Sequence, residues 1–202
     1  MEIGVAASTA RMLEMLPARR AAAPAEQPTV DLDTPDVEVN GRKKRAVAYD
    51  HQGQRVGRPH VATWAETGTV LAADLLAGDI DPRAGAPRLL RRALAGLPPA
   101  VRAGRVRMRA DAGYFAGELA HDAHAEGIGF AIGGKRIAPL WRMLDGLAEA
   151  DWTDDVDRPA AQVAVAGYRP DWWPADTRLL IRRILLDVAA GAPCTPTSVP
   201  CR

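Results

Sequence analysis

The sequence is short of cysteine, of lysine, of net charge and of long apolar runs, and each shortage closes off a class of function. Its two cysteines, Cys194 and Cys201, both fall at the extreme C-terminus. They frame no disulfide core, and without nearby partners they make a poor zinc site. Lysine occurs three times (Lys43, Lys44, Lys135) against 23 arginines, a bias that reflects a GC-rich genome rather than a function. The formal net charge of +1 excludes a bulk polycation that grips nucleic acid or anionic membrane by charge alone. No run reaches the ~18–20 apolar residues of a membrane-spanning helix. The N-terminal MEIGVAASTARMLEMLPARR has Glu2 early and no basic leader, unlike a secretory signal. The expected setting is the cytoplasm.

What is present is ordinary for a folded chain. Hydrophobic residues make up 48% and charged residues 25% of 202 residues, enough for one domain with appended segments. Residues 1–28 read as a short amphipathic helix around Ala6–Leu16 and an Ala/Pro/Arg linker. TVDLD alternates apolar and acidic residues before Pro35, the pattern of a short strand over 29–33. GRKKRAVAYDHQGQRVGRP reads as an extended loop, with a short strand at Ala46–Tyr49. HVATWAE and TVLAADLLAG flank Thr67-Gly68 as a hairpin over 60–78. Leu89, Leu90, Ala93, Leu94 and Leu97 recur at helical spacing up to Pro98-Pro99. RVRMRAD is a strand, AGYFAGELAHDAHAEG a helix, and the apolar IGFAIGG a strand expected to be covered on both faces. Beyond Lys135, IAPLWRMLDGLAEADW predicts a helix, QVAVAGY and RLLIRRILLD predict strands, and the Trp172 region a loop. Residues 188–202 predict a disordered tail. Antiparallel strands followed by strand–helix–strand units define an α/β fold with a mixed sheet.

Two aspartate positions close predicted strands: Asp31 and Asp33, with Asp36 following, and Asp111. Carboxylates projecting from a rigid sheet suit a divalent ion, which takes one or two of them plus water and phosphate oxygens. On spacing alone, the stronger reading of Asp111 is a helix N-cap and that of the first pair ordinary strand-end acidity.

Four blocks in order, DLDTPDVEVNGRKKRAVAYDHQGQ, GRPHVATWAETGTVLAADLLAGD, RVRMRADAGYFAGEL and IGFAIGGKRIAPLW, resemble a bacterial insertion-sequence transposase of the DDE type. The resemblance covers roughly Val30–Asp187. It implies a ribonuclease-H-like fold, with three antiparallel strands extended by parallel ones and helices on the faces. It also implies Mg²⁺-dependent cleavage and strand transfer of DNA at insertion-sequence ends, with two ions held by two aspartates and a glutamate. Carried over, the first aspartate falls on Asp33, with Asp31 its nearest rival, and the second on Asp111. The family's glutamate helix has no counterpart here. The expectation is therefore a core fragment (29–187) truncated at both ends and incomplete at the C-terminus, with weak or no Mg²⁺ binding and no transposition of its own. Loss of that helix is expected to bare apolar sheet surface. The alternative is a non-catalytic remnant with nonspecific DNA affinity. The intact protein is expected to act as a nucleoid-associated homodimer with no membrane partner.

Other features carry less. Arg42, Lys43, Lys44 and Arg45 form a basic run that contacts DNA phosphates in the family reading and is a solvated loop otherwise. Trp172-Trp173 either stack on bases or, the stronger expectation, pack under the C-terminal strand. Tyr114 and Phe115 are expected to anchor a helix to the sheet. His51, His60, His121 and His124 show no metal-binding spacing.

Overall fold

The computed structural model describes residues 2–15, 27–41, 43–167 and 171–185, with side chains of the first helix described from residue 7. The expected linker, Arg42, the end of the C-terminal strand and the 188–202 tail lie outside the described residues. The chain forms two compact units, residues 1–135 with 171–174, and residues 136–170 with 175–202. The span 29–187 is thus shared between two bodies.

The first unit is built on a mixed sheet of β1 (Thr29–Asp33), β2 (Val37–Glu38), β3 (Ala48–Tyr49), β4 (Arg55–Trp64), β5 (Thr69–Leu76), β6 (Arg107–Ala110) and β7 (Gly129–Ile132). β5, β4 and β1 run antiparallel in that order, and β6 and β7 continue beyond β1 as parallel strands. This is the ribonuclease-H-like arrangement, three antiparallel strands extended by parallel ones. A helix, Gly117–Ala125, provides the crossover that parallel strands β6 and β7 require. The hairpin turns through Gly68, whose φ of +70° suits a residue without Cβ.

One face of the sheet is sealed. Val30 and Leu32 of β1, Met108 of β6, and Ala62 and Trp64 of β4 meet Leu89, Leu90, Ala93 and Leu94 of the Ala86–Gly96 helix and Leu119 and Ala123 of the crossover helix. Fully burying each leucine contributes about 1.5–3 kcal/mol relative to exposure. The N-terminal helix, Glu2–Glu14, belongs to this unit, and Thr9 Oγ1 donates to Val70 O at 2.5 Å.

Three expectations need correction. β4 begins at Arg55, inside the stretch read as loop, because its first residues pair with the two-residue strands β2 and β3. Such a local supplement leaves no long alternating pattern to read. β7 is not covered on both faces: Gly129 and Ala131 are exposed while Phe130 and Ile132 are half-buried. Among the described residues, that open face is charged and small rather than apolar along β1, β6 and β7, carrying Asp31, Asp33, Arg107, Arg109 and Ala131. Third, the helix expected after Asp111 is interrupted. A single 3₁₀ turn, Ala112–Tyr114, precedes Gly117–Ala125.

In the second unit, a helix (Ala138–Asp145) precedes β8 (Thr153–Asp154), β9 (Ala161–Ala166) and β10 (Leu179–Ile184), an antiparallel sheet ordered β10-β9-β8. Its polar ties are Arg182–Asp155 at 2.7 Å and Arg183, which bonds Gln162 and Glu149 and lies 4.3 Å from the Trp152 ring centroid.

Candidate functional site

β1 and β6 run side by side in register, with Asp31 opposite Arg109 and Leu32 opposite Ala110. Side chains alternate between faces along a strand. Asp31 and Asp33 therefore share the open face with Arg109 and Asp111. The Arg109 guanidinium clasps Asp31 through both carboxylate oxygens, Nε at 2.7 Å and Nη2 at 2.6 Å. One residue beyond the last registered pair stand Asp33 and Asp111, at the ends of strands spaced about 4.8 Å apart. Both are exposed, and among the described residues neither has an ion-pair partner. Asp33 Oδ1 accepts from Thr34 N at 2.7 Å, and Asp111 Oδ1 from Gly113 N at 2.8 Å. The capping role foreseen for Asp111 is thus real, but it engages only one oxygen.

Beneath these carboxylates lies Tyr114, 1% exposed. Its hydroxyl meets Thr34 Oγ1 at 2.5 Å, so the residue after Asp33 is tied to the turn after Asp111. Burial above all raises the phenol pKa. The charges of Asp33 and Asp111 add to that rise, and the Thr34 hydrogen bond opposes it. Tyr114 in turn stacks on His60, centroids 5.3 Å apart. His60 is fully buried with both ring nitrogens unpaired, and desolvation lowers its pKa against a raising influence from Asp74. The expectation that Tyr114 anchors structure is met in a more specific form.

A cleft of about 430 Å³ opens beside Asp111, lined by Thr34, Asp36, Arg58, Asp81, Arg83 and Lys135, among others. Arg58 pairs with Asp36 at 2.7 Å and donates to Gly78 O at 3.0 Å. Arg83 clasps Asp81 and, chiefly through that hydrogen bond, holds its carboxyl down to about 2. None of Arg58, Arg83 and Lys135 was singled out from sequence, because residues spread from 58 to 135 share no motif. The one local signal was Gly133-Gly134 before Lys135.

The basic run sits elsewhere. Lys43, Lys44 and Arg45 are exposed in the turn between β2 and β3, and Arg42 is outside the described residues. Asp33 pairs with Val61, so the 55–57 end of β4 and the strands flanking it reach past the end of β1. The run thus extends from the same end of the sheet as Asp33 and Asp111.

Trp173 packs on Phe115 at 5.0 Å and Phe130 at 6.0 Å between centroids, within the first unit. Gly117 permits this, since a Cβ there would lie 2.1 Å from the Trp172 carbonyl oxygen.

Among the described residues, no group of three or more His, Cys, Asp or Glu side chains is placed to hold one metal ion. The two opposed, unpaired carboxylates do fit part of the shell of a divalent ion, which accepts one or two carboxylates and completes itself with water or phosphate.

The fold is a mixed sheet with two aspartates, unpaired among the described residues, at the ends of adjacent parallel strands. The chain belongs to the family Transposase DDE domain group 1, whose model matches residues 4–189. That family generally uses a divalent metal. No protein of curated function matches the chain in sequence. Among solved structures, it is similar to a piggyBac transposase in a synaptic complex with hairpin DNA, at 9% identity and a TM-score of 0.45. The match covers 76% of this chain and 32% of that one, so the chain spans about a third of that transposase. No helix among the described residues is long and apolar enough to cross a membrane.

Proposed function

We propose that this chain carries the two-aspartate half of a DNA strand-cleavage and strand-transfer site, in which Asp33 and Asp111 are ligands to Mg²⁺. The observation that carries this reading is the pairing of two exposed carboxylates, without cations of their own, at adjacent strand ends. A bound divalent ion would supply charge neutralisation at a phosphate and a more acidic water or hydroxyl. The chain's own residues do the rest. The Asp31–Arg109 clasp supports the β1–β6 register, just beyond which Asp33 and Asp111 stand. Tyr114 and Thr34 brace the two strand ends against each other. Lys43, Lys44 and Arg45, with Arg42 beside them, offer charge to a DNA backbone beyond the sheet.

Among the described residues no three acidic or metal-ligating side chains are placed to hold one ion, which favours a second reading, a DNA-binding domain without cleavage of its own. Two-metal displacement needs both oxygens of the reacting phosphate clamped, which two carboxylates alone do poorly. The test is a strand-cleavage assay on the element's end sequences with Mg²⁺ or Mn²⁺, alongside Mn²⁺ binding. Cleavage abolished by Asp111→Asn supports the first reading. Metal and DNA binding without cleavage supports the second. No metal binding at either aspartate overturns the assignment of ligands.

A further inference from the structure

The cleft beside Asp111 contains three cations and three carboxylates, and two of each are already spent on one another. Arg58 holds Asp36 and Arg83 holds Asp81. That leaves Lys135, half-buried and without an ion pair among the described residues though its charge is felt at Asp81, and Asp111, likewise unpaired, lining the same cavity. The backbone is shaped to bring them together. Gly133 N donates to Ala110 O at 2.9 Å, and a Cβ on Gly133 would lie 2.7 Å from Ala112 N and 3.0 Å from the Asp111 carbonyl carbon. Only glycine lets the end of β7 lie this tightly on the residues around Asp111, and Lys135 follows two positions on.

An isolated anion in this cleft would meet Asp111, and an isolated divalent cation would meet Lys135. A ligand that offers a negative oxygen to the ammonium and a cation to the carboxylate satisfies both. We infer that Lys135 binds a phosphodiester of a DNA strand next to Asp111, with phosphate and divalent ion entering as a coupled pair. The inference rests on the reading of Asp111 as a metal ligand and adds to it a specific phosphate contact. Linkage makes the coupling reciprocal: metal strengthens DNA binding by the factor by which DNA strengthens metal binding.

The experiment measures binding of a short DNA duplex to the full chain across a salt series, with and without Mg²⁺. For the unaltered chain, affinity should rise with Mg²⁺. Lys135→Gln should lower the slope of log affinity against log salt by about one, as expected for one lost phosphate contact, and should shrink the Mg²⁺ enhancement. Lys135→Arg should restore the slope. Asp111→Asn should abolish the enhancement and keep the slope. Circular dichroism melts of each variant separate loss of contact from loss of fold. An unchanged slope in folded Lys135→Gln overturns the contact while leaving the metal-ligand reading in place. A folded parent chain that binds DNA with no response to Mg²⁺ overturns the coupling. One that binds no DNA at all overturns this inference and the DNA-processing reading together.

Discussion

Two neighbouring rungs of one β-ladder carry nearly the same residues and opposite chemistry. On the inner rung, Asp31 faces Arg109 and the charges cancel within the protein. On the outer rung, one residue past the last registered pair, Asp33 and Asp111 end their strands, and among the described residues neither has an ion-pair partner. The inner rung ties β1 to β6, and the proposed role of the outer one is to hold a cation.

The largest expected effect tests that contrast at the outer rung. Asp111→Asn or Asp33→Asn should weaken Mn²⁺ binding, followed by electron paramagnetic resonance, by at least the about 10–100-fold that even outer-shell changes cost. The melting temperature without metal should hold or rise slightly. A clear fall on either substitution would show these carboxylates to be structural.

At the inner rung the signs reverse. Asp31→Asn should leave Mn²⁺ affinity within a small factor while destabilising the fold. Both partners are partly solvated, so about 1 kcal/mol is the expected loss, or about 2–4 °C in melting temperature for a chain of this size. If metal binding instead collapses, Asp31 and not Asp33 is the ligand.

Tyr114→Phe keeps the ring stacked on His60 and removes only the hydroxyl that meets Thr34. A loss near 1 kcal/mol is expected, read from a denaturant midpoint. A drop in Mn²⁺ affinity should accompany it, because the two strand ends lose their tie. Unchanged metal binding would reduce Tyr114 to a packing role.

The smallest effect lies in mild acid. His60 is buried neutral, with a pKa below the ordinary 6.5. As pH falls below about 6.5, the unfolded chain takes up a proton that the folded chain refuses, so stability declines until the folded form's own pKa is passed. Melting curves between pH 7.5 and 5.5 should show this slope in the parent chain, and His60→Met should flatten it. Equal slopes in both would mean that His60 gains a partner on protonation.

Much of the scaffold was legible in the residues. TVDLD, the hairpin around Thr67-Gly68, the leucines at helical spacing and RVRMRAD each bury an apolar set on one face, and period and polarity reveal such sets locally. Asp33 and Asp111 were legible as strand-end acids, and the order of blocks pointed to the family. Less visible was the open face of β7: Gly129, Phe130, Ala131 and Ile132 are apolar or neutral on both sides, and only the absence of a covering element among the described residues distinguishes them. The partners in the cleft were hidden as well. Arg58, Asp36 and Lys135 are remote in sequence, and the pairing of Arg58 with Asp36 depends on where strands end, whereas Arg83 and Asp81 pair two residues apart.

Local patterning by itself therefore determined where most strands and helices form, though not where β4 begins or how the turn after Asp111 runs, because burial on one face imposes a period that a linear reading detects. Tertiary structure alone decided the rest. Parallel registration of β1 with β6 placed one aspartate against an arginine and left the next at a strand end beside that of Asp111, and the approach allowed by Gly133 set Lys135 in the cleft that Asp111 lines. Those outcomes follow from distances between strands, which no local pattern encodes.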